Sequence, residues 1–535
     1  MPVLDKEYQM YREIIDRLLD TEETLSKRVV NRIKNQVCKK YGASRVPSNA
    51  DVLQAAIPEE LDILTPIMQK RPVRTVSGVA VVATMTKPIA CPHGKCAYCP
   101  GGPDLDVPQS YTGHEPATMR GIQNDFDPYK QVTKRLDQLT TIGHSVQKVE
   151  LIVMGGDWCS KEREYREWFV KRCLDAMNGV PSESLEEAKN TNETADVRNV
   201  GITFETRPDW VTDDTIDEML EMGGTRVEIG VQTLSDEVLE LVQRGHDVET
   251  TIQATKKLRD SGLKICYHMM PGLPSSSLEQ DLETFEQLFS DHRFRPDMLK
   301  IYPTIVVKNT KLYEWWERGE YSPLTTDQVV DLVSRAVAKM PEYVRIQRMQ
   351  RDIPLHQIEA GLDKGHLREL VHQRMKNERL RNPTIRFREI GHFQMRSELE
   401  VDPSQIKLVR RDYDAGNGTE VFLSYEQPDL DILFGFLRLR HPSNDATRPE
   451  IRNSPSVIIR EVRVYGPVVD LGQRDPDAWQ HLGLGEKMIQ SAFEIGRNDF
   501  DAKQILVTSG IGVKEYYRKI GFSDKGPYLA RPLSQ

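Results

Sequence analysis

Six short β-rich runs alternating with longer helical patterns constrain the fold of this chain most: VAVVATM, KVELIVM, VGITFET, RVEIGVQ, KICYHMM and MLKIYPT, between residues 79 and 304. Strand and helix in strict alternation imply a parallel sheet with right-handed crossovers. Six units are fewer than the eight that close a full barrel, so the pattern predicts a partial (β/α) barrel with its site at the C-terminal ends of the strands.

At 535 residues the chain is too long for one ordinary core. Residues 1–75 read as a helical region through IIDRLL and VVNRIKNQVCKKYG, and 76–342 as the partial barrel. The polar, basic stretch 343–395 reads as a junction. From 396 to 535 the order becomes strand-first, with IKLVRRDY, TEVFLSYE, ILFGFLRLR and VIIREVRVYG as an antiparallel meander, then a helix from about Gln480 and a strand ILVTSG. This predicts a separate α+β domain, with RHPSNDATRPEIRNSPS as a surface loop within it.

No run approaches the roughly 18 apolar residues of a membrane span, and the acidic, amphipathic start lacks the pattern of a secretory signal. A cytoplasmic location without membrane contact is expected. Seven cysteines are odd in number and too few for a disulfide scaffold.

Three of the seven, Cys91, Cys96 and Cys99, form C-x4-C-x2-C directly after the first strand. A zinc site completed by His93 is one reading. The other is a [4Fe-4S] cluster on three thiolates, which leaves one iron for the amino and carboxylate groups of S-adenosylmethionine (SAM); electron-transfer clusters use four cysteines. Position and spacing favour the second, a barrel of radical SAM type. Gly155 and Gly156 end the second strand, where missing side chains would let SAM approach, and Glu205 and Gln232 end the third and fourth.

Gln480-His-Leu-Gly483-Leu484-Gly485-Glu486 opens the later helix, preceded by the β run Glu461, Val462, Arg463 and Val464. A helix N-terminus offers free N–H groups and partial positive charge to a pyrophosphate, and a strand edge can pair with pantetheine. This suits a GNAT-type domain that binds acetyl-CoA. Tyr516 or Tyr517, on the helix after ILVTSG, would protonate the departing thiolate; adjacent helical residues point about 100° apart, so only one faces it.

The net charge is −9, yet from Lys27 to Arg45 there are seven basic residues and no acidic one: Lys27, Arg28, Arg32, Lys34, Lys39, Lys40 and Arg45. This run is a candidate phosphate-binding face, with Arg345, Arg348 and Arg351 as a second patch.

Taken together, CPHGKCAYCPGGPD, QSYTGHEPATMR, VELIVMGG, TRVEIGVQT, LVQRGHDVETTIQATKKLRDSGLKICYHMMPGLP, LVRRDY, WQHLGLG and YYRKIGF resemble the family of the Elongator catalytic subunit, above all its single-chain archaeal and bacterial forms. The resemblance runs nearly end to end. It implies a tRNA-modifying enzyme that builds a carboxymethyl-type group at C5 of uridine 34, using SAM radical chemistry and acetyl-CoA, with an unidentified electron donor and room for a homodimer. It also implies an acetyl-CoA contact from Lys148. The chain departs from the family in two places. The usual GGTF loop reads Gly155-Gly156-Asp157-Trp158, and the C-x-C-x2-C zinc motif of many prokaryotic members falls on Asn382, Thr384 and Phe387, so zinc is not expected there. The competing enzyme reading is a protein lysine acetyltransferase, which leaves the cysteine cluster without a use.

Overall fold

The computed structural model describes residues 3–533 except 22, 24, 44–45, 48, 54, 69–77, 398–400 and 467–482. Its first sheet holds β1 (Ala80–Met85), β2 (Lys148–Met154), β3 (Arg198–Thr206), β4 (Gly224–Gln232), β5 (Lys264–Met269), β6 (Met298–Ile301) and β7 (Arg345–Arg348), in sequence order. Every neighbouring pair is parallel. β7 does not return to β1, so the barrel stays open.

The expected partial barrel is present with one strand more than the sequence indicated. β7 lies in the stretch read as a junction: RIQR carries three polar side chains in four residues, and a strand that short shows no alternation. Arg345 accordingly is no surface cation. It is 4% exposed and donates to Glu389 Oε2 (2.7 Å) and to the Tyr465 hydroxyl (2.8 Å).

The second sheet is mixed and has the order β13-β14-β12-β11-β10-β9-β8. Its strands are β8 (Lys407–Ala415), β9 (Gly418–Gln427), β10 (Ile432–His441), β11 (Ser456–Val464), β12 (Gln504–Val507), β13 (Ser523–Lys525) and β14 (Tyr528–Pro532). Both faces of its central strands are buried. Val421, Leu423, Leu437, Leu439, Val457, Ile459, Ile505 and Val507 pack under the helix Leu484–Asn498. The alternate residues Phe422, Phe434, Phe436, Ile458 and Leu506 join the half-barrel's own core. A strict period of two thus serves two cores at once.

The face turned to the half-barrel also carries charge. Arg460 grips Asp297 with both Nη atoms, at 2.7 and 2.8 Å, and reaches Glu420 at 2.7 Å. Arg438 donates to Glu461 (3.1 Å) and Arg440 to Asp260 (2.6 Å). The segment 440–456 was expected to be a surface loop. Instead the Ser443 amide and hydroxyl hold Asp260, and Ala446 and Ile451 are buried, so it plugs the seam between sheets.

The N-terminal region is helical, as expected, with its own small core of Met10, Ile14, Leu18, Val30, Ile33, Val37 and Leu64. The helix Lys27–Tyr41 starts where the Ser26 hydroxyl accepts from the Val29 amide and stops at Gly42, whose φ of +64° suits a residue without Cβ. Among the described residues no helix is long and apolar enough to cross a membrane.

Candidate active site

The cysteine loop follows β1 and folds back against the mouth of the half-barrel, held by the Ala97 amide on the Val242 carbonyl (2.9 Å). Cys96 and Cys99 are each 3% exposed. His93 Nε2 lies 3.2 Å and Arg244 Nη1 3.8 Å from Cys96 Sγ, while Ser110 Oγ lies 3.1 Å from Cys99 Sγ. The Cys99 thiol, His93 and Arg244 outweigh burial and hold Cys96 well below the usual thiol range; burial pushes Cys91 up. One thiolate is therefore already stabilised by fixed donors and a cation, as a thiolate-ligated group requires.

A cavity opens beside this loop at the strands' C-terminal ends. Its lining includes Cys91, Gly156, Asp157, Glu205, Gln232, Tyr302 and Arg351. Several polar atoms around it are buried without a partner among the described residues: Asp157 Oδ2, Arg207 Nη1, Gln232 Oε1 and His93 Nδ1. Buried polar atoms are normally satisfied, so such a set fits a polar ligand with an amino and a carboxylate end. Gln232 also sits at φ +72°, a strained conformation at a strand end.

The two glycines separate in role. Gly156 faces the cavity at φ +85°. Gly155 does not: a Cβ there would lie 2.2 Å from Thr86 Oγ1, so packing against β1's end demands it. In the variant Asp157-Trp158 pair, Asp157 accepts from the Thr206 hydroxyl (2.6 Å) and Trp158 is buried, stacked on Phe204 at 5.0 Å.

Below the mouth the half-barrel's interior is ionic. Glu205 is reached by Lys300 (3.1 Å) and by the Tyr111 hydroxyl (3.2 Å). Lys300 also contacts Glu228, which lies 2.8 Å from His268 Nε2. Burial raises the Glu228 carboxyl, but Lys300, His268 and Arg226 overcome it and keep the group ionised. Arg226 meets Glu150, and Glu150 lies 3.5 Å from Arg463 of β11. Lys148 shares the interior face of β2 with Glu150, at the end of the interior opposite the cysteine loop.

At that end β11 leaves β12. Their pairing stops at Ile459 and Val507, and a bulge between Arg438 and Leu439 shifts the register with β10. Among the described residues, nothing pairs with residues 461–464 on the side away from β10. The Glu461 and Arg463 side chains are committed to Arg438 and Glu150, so what this segment offers is backbone. Gly483, at φ +69°, caps the adjoining helix; Leu484 is buried, Glu486 is exposed, and Gln480 lies outside the described residues. Tyr517 is 7% exposed and packs edge-on to Phe522, whereas Tyr516 is 41% exposed, its phenol raised by partial burial and then by the charge of Glu486. Burial raises the Tyr517 phenol and keeps it protonated.

The basic run of the N-terminal region is broken up in space. Lys34 is buried and donates to Asn49 Oδ1 (2.7 Å), so it faces inward rather than toward a ligand. Lys40 pairs with Glu13 and Arg32 with Glu23, acids that precede the basic run. Arg28 and Lys39 are exposed; the Lys27 side chain and Arg45 lie outside the described residues.

Sequence profiles agree with this architecture. The Radical SAM superfamily matches residues 88–288, the Radical SAM C-terminal domain 296–377, and the ELP3 N-terminal domain 8–76. The tRNA uridine(34) acetyltransferase of Methanocaldococcus jannaschii is 48% identical over 99% of both chains, and human Elongator complex protein 3 is 42% identical over 97% of this chain and 96% of its own. The chain belongs to the Elongator complex protein 3 family. The solved structure of Methanocaldococcus infernus Elp3 lacking its N-terminus aligns with a TM-score of 0.76 at 45% identity, covering 85% of this chain and 99% of that one.

Reading the sequence missed Arg244, Arg207, His268, Lys300 and Glu228. For Glu228, His268 and Lys300 a signal was available: on β4, β5 and β6 a charged or polar residue stands at alternate positions inside otherwise apolar strands, where a fully covered parallel sheet should be apolar throughout; Arg207 and Arg244 lie in loops and carry no such signal.

Proposed function

We propose that this chain modifies C5 of the wobble uridine of tRNA, with SAM in the cavity beside Cys91, Cys96 and Cys99 and acetyl-CoA along β11. The observation that carries the reading is the shared half-barrel interior: the thiol loop and its cavity lie at one end, and at the other lies the backbone of β11 that has no strand partner among the described residues. When bound, a [4Fe-4S] cluster on the three thiols supplies the electron that cleaves SAM and starts radical chemistry.

The chain's own residues do the rest. Gly156, Asp157 and Gln232 would receive the methionyl part, and the ion pairs of Lys300 with Glu205 and Glu228 hold the charged groups below it in fixed positions. On the other side the backbone of residues 461–464 would pair with pantetheine in the manner of a GNAT domain, the helix beginning at Leu484 would face the pyrophosphate, and Lys148 would contact the same ligand. Tyr517 would hold the proton for the thiolate. The proposed domains are 1–75, a half-barrel from 76 that runs through β7, a junction ending at 395, and 396–535. In the junction Phe387, one of the three positions at which the resemblance implies no zinc ligand, packs with His372 edge-on at 5.2 Å and Arg396 3.8 Å above its ring.

Reaction of the reconstituted chain with tRNA, SAM, acetyl-CoA and a reductant should add mass to the wobble uridine, read by nucleoside mass spectrometry. An unmodified uridine together with acetylated protein lysines would establish the lysine acetyltransferase instead.

A further inference from the structure

The cavity continues outward into a groove that shares Arg348, Arg351 and Asp352 with it and is further lined by Met119, Leu355, Arg368 and Glu369. Its cations are poorly balanced. Arg348 pairs with Asp352 at 2.7 Å. Among the described residues neither Arg351 nor Arg368 makes an ion pair: Arg351 donates to the Ser110 carbonyl, and Arg368 Nη2 to the carbonyls of Ile346 (3.3 Å) and Gln347 (3.2 Å).

Burial and the neighbouring Arg386, Arg345 and Arg348 push Arg368 down to about 9, with no carboxylate opposing them. Arg368 is half-buried, and a partly desolvated guanidinium without a counter-charge is unfavourable to the fold. Arginines of the seam pair with acids, as at Asp297 and Asp260, whereas Arg368, like Arg244 beside the cysteine loop, has no ion pair among the described residues. The groove floor is apolar: Met119 is 41% and Leu355 45% exposed. Cations on the walls, apolar surface below and an opening into the reaction cavity match one kind of ligand, a nucleic-acid strand with phosphates outward and ribose or base inward.

We propose that Arg351 and Arg368 bind backbone phosphates of the single-stranded RNA flanking the nucleotide that enters the half-barrel mouth. This rests on the tRNA reading above and adds to it a route of entry, along β7 and past the cysteine loop. Planar guanidinium groups suit phosphate oxygens in bidentate geometry.

The test is the salt dependence of tRNA binding to the full chain from about 50 to about 200 mM KCl. Removing one cation that neutralises a phosphate of a single strand should lower the slope of log K against log salt by roughly 0.7. Arg368→Gln should therefore lower it by roughly 0.7 and the Arg351→Gln, Arg368→Gln double variant by roughly 1.4, while Arg368→Lys keeps the wild-type slope. Because Arg368 lacks a counter-charge, Arg368→Gln should not lower the melting temperature. A wild-type slope in the double variant overturns the groove assignment and leaves the tRNA reading standing. A lower melting temperature with an unchanged slope for Arg368→Gln assigns that residue to the fold and overturns the proposal. A wild-type chain whose binding to tRNA has no salt dependence overturns both.

Discussion

The seam between the two sheets and the cavity at the half-barrel mouth both bury many charges, and they treat them in opposite ways. At the seam Asp297 meets Arg460, Arg259 and Arg438, and Glu420 meets Arg460, Arg259 and Arg440. The seam too leaves Arg259 Nη1, Arg438 Nη1 and Glu420 Oε1 without a hydrogen bond, but each lies close to an opposite charge, at 3.3 Å for Arg259 with Glu420 and 3.5 Å for Arg438 with Asp297. Around the cavity Asp157, Arg207 and Gln232 each leave a buried atom unpaired among the described residues, and the groove beyond has arginines without acids. Paired charges fix the two sheets in one relative position; unpaired ones mark where a ligand must supply the partner.

The largest effect should come from the unpaired side. Replacing Cys91, Cys96 or Cys99 with Ser should abolish the iron–sulfur absorbance and SAM cleavage, measured as 5′-deoxyadenosine formed, without unfolding the chain. A full cluster in any of the three variants would break the assignment of the cavity.

On the paired side Asp297→Asn should destabilise the chain by about 3–5 kcal/mol, because it strands guanidinium groups in the seam. Chemical denaturation would show this. Burial raises the Asp297 carboxyl, but Arg460, Arg259 and Arg438 hold it well below its usual range. Burial likewise raises Glu150, and Arg226 and Arg463 bring it down to about 2. Carboxyls depressed in the folded state stabilise it fully above their unfolded values of about 4, and this contribution fades as pH falls through the folded values. Stability should drop between about pH 4 and about pH 2, and Glu150→Gln should flatten that part of the profile. An unchanged profile would mean that the seam's charges contribute no net stability.

How much of this contrast the sequence showed depends on range. The strand alternation, the meander and the C-x4-C-x2-C loop are local patterns, and all were legible. β7 was not, because four mostly polar residues at a strand's lower length limit carry no periodicity. The seam was hidden as well: Arg460 and Asp297 stand 163 residues apart, and nothing local to RPDML or IIREV announces their meeting. The same limit misled the reading of the basic run, where Glu13 and Glu23 lie outside the window that contains Lys40 and Arg32.

Between the two extremes lies Tyr517, buried beside Phe522 and proposed above to hold the proton for the thiolate. Tyr517→Phe should slow tRNA-stimulated acetyl-CoA hydrolysis on the order of 100-fold, the usual contribution of a positioned acid, with tRNA affinity nearly unchanged. Tyr516→Phe should cost less, since its more exposed phenol leaves water free to substitute. Equal loss of tRNA binding in the Tyr517 variant would assign the residue to the core that contains Phe522.

The smallest effect should come from the N-terminal helix, where paired and unpaired cations sit side by side on the surface. Lys39 is exposed and has no ion pair among the described residues, and Lys40, next to it, shares its charge with Glu13. If this face touches tRNA, Lys39→Glu should lower the salt slope by roughly 0.7–0.9. Lys40→Glu should lower it less, since Glu13 already offsets that charge. Lys34 is a third case: it faces Asn49, so Lys34→Gln should change stability rather than slope. A surface ion pair is worth at most about 1 kcal/mol, so a phosphate could displace Glu13 and recruit Lys40 at little cost. Equal slopes for the Lys39 and Lys40 variants would show that exchange taking place. An unchanged slope in both would remove the helix from the tRNA-binding surface and leave the groove beside β7 as the principal contact.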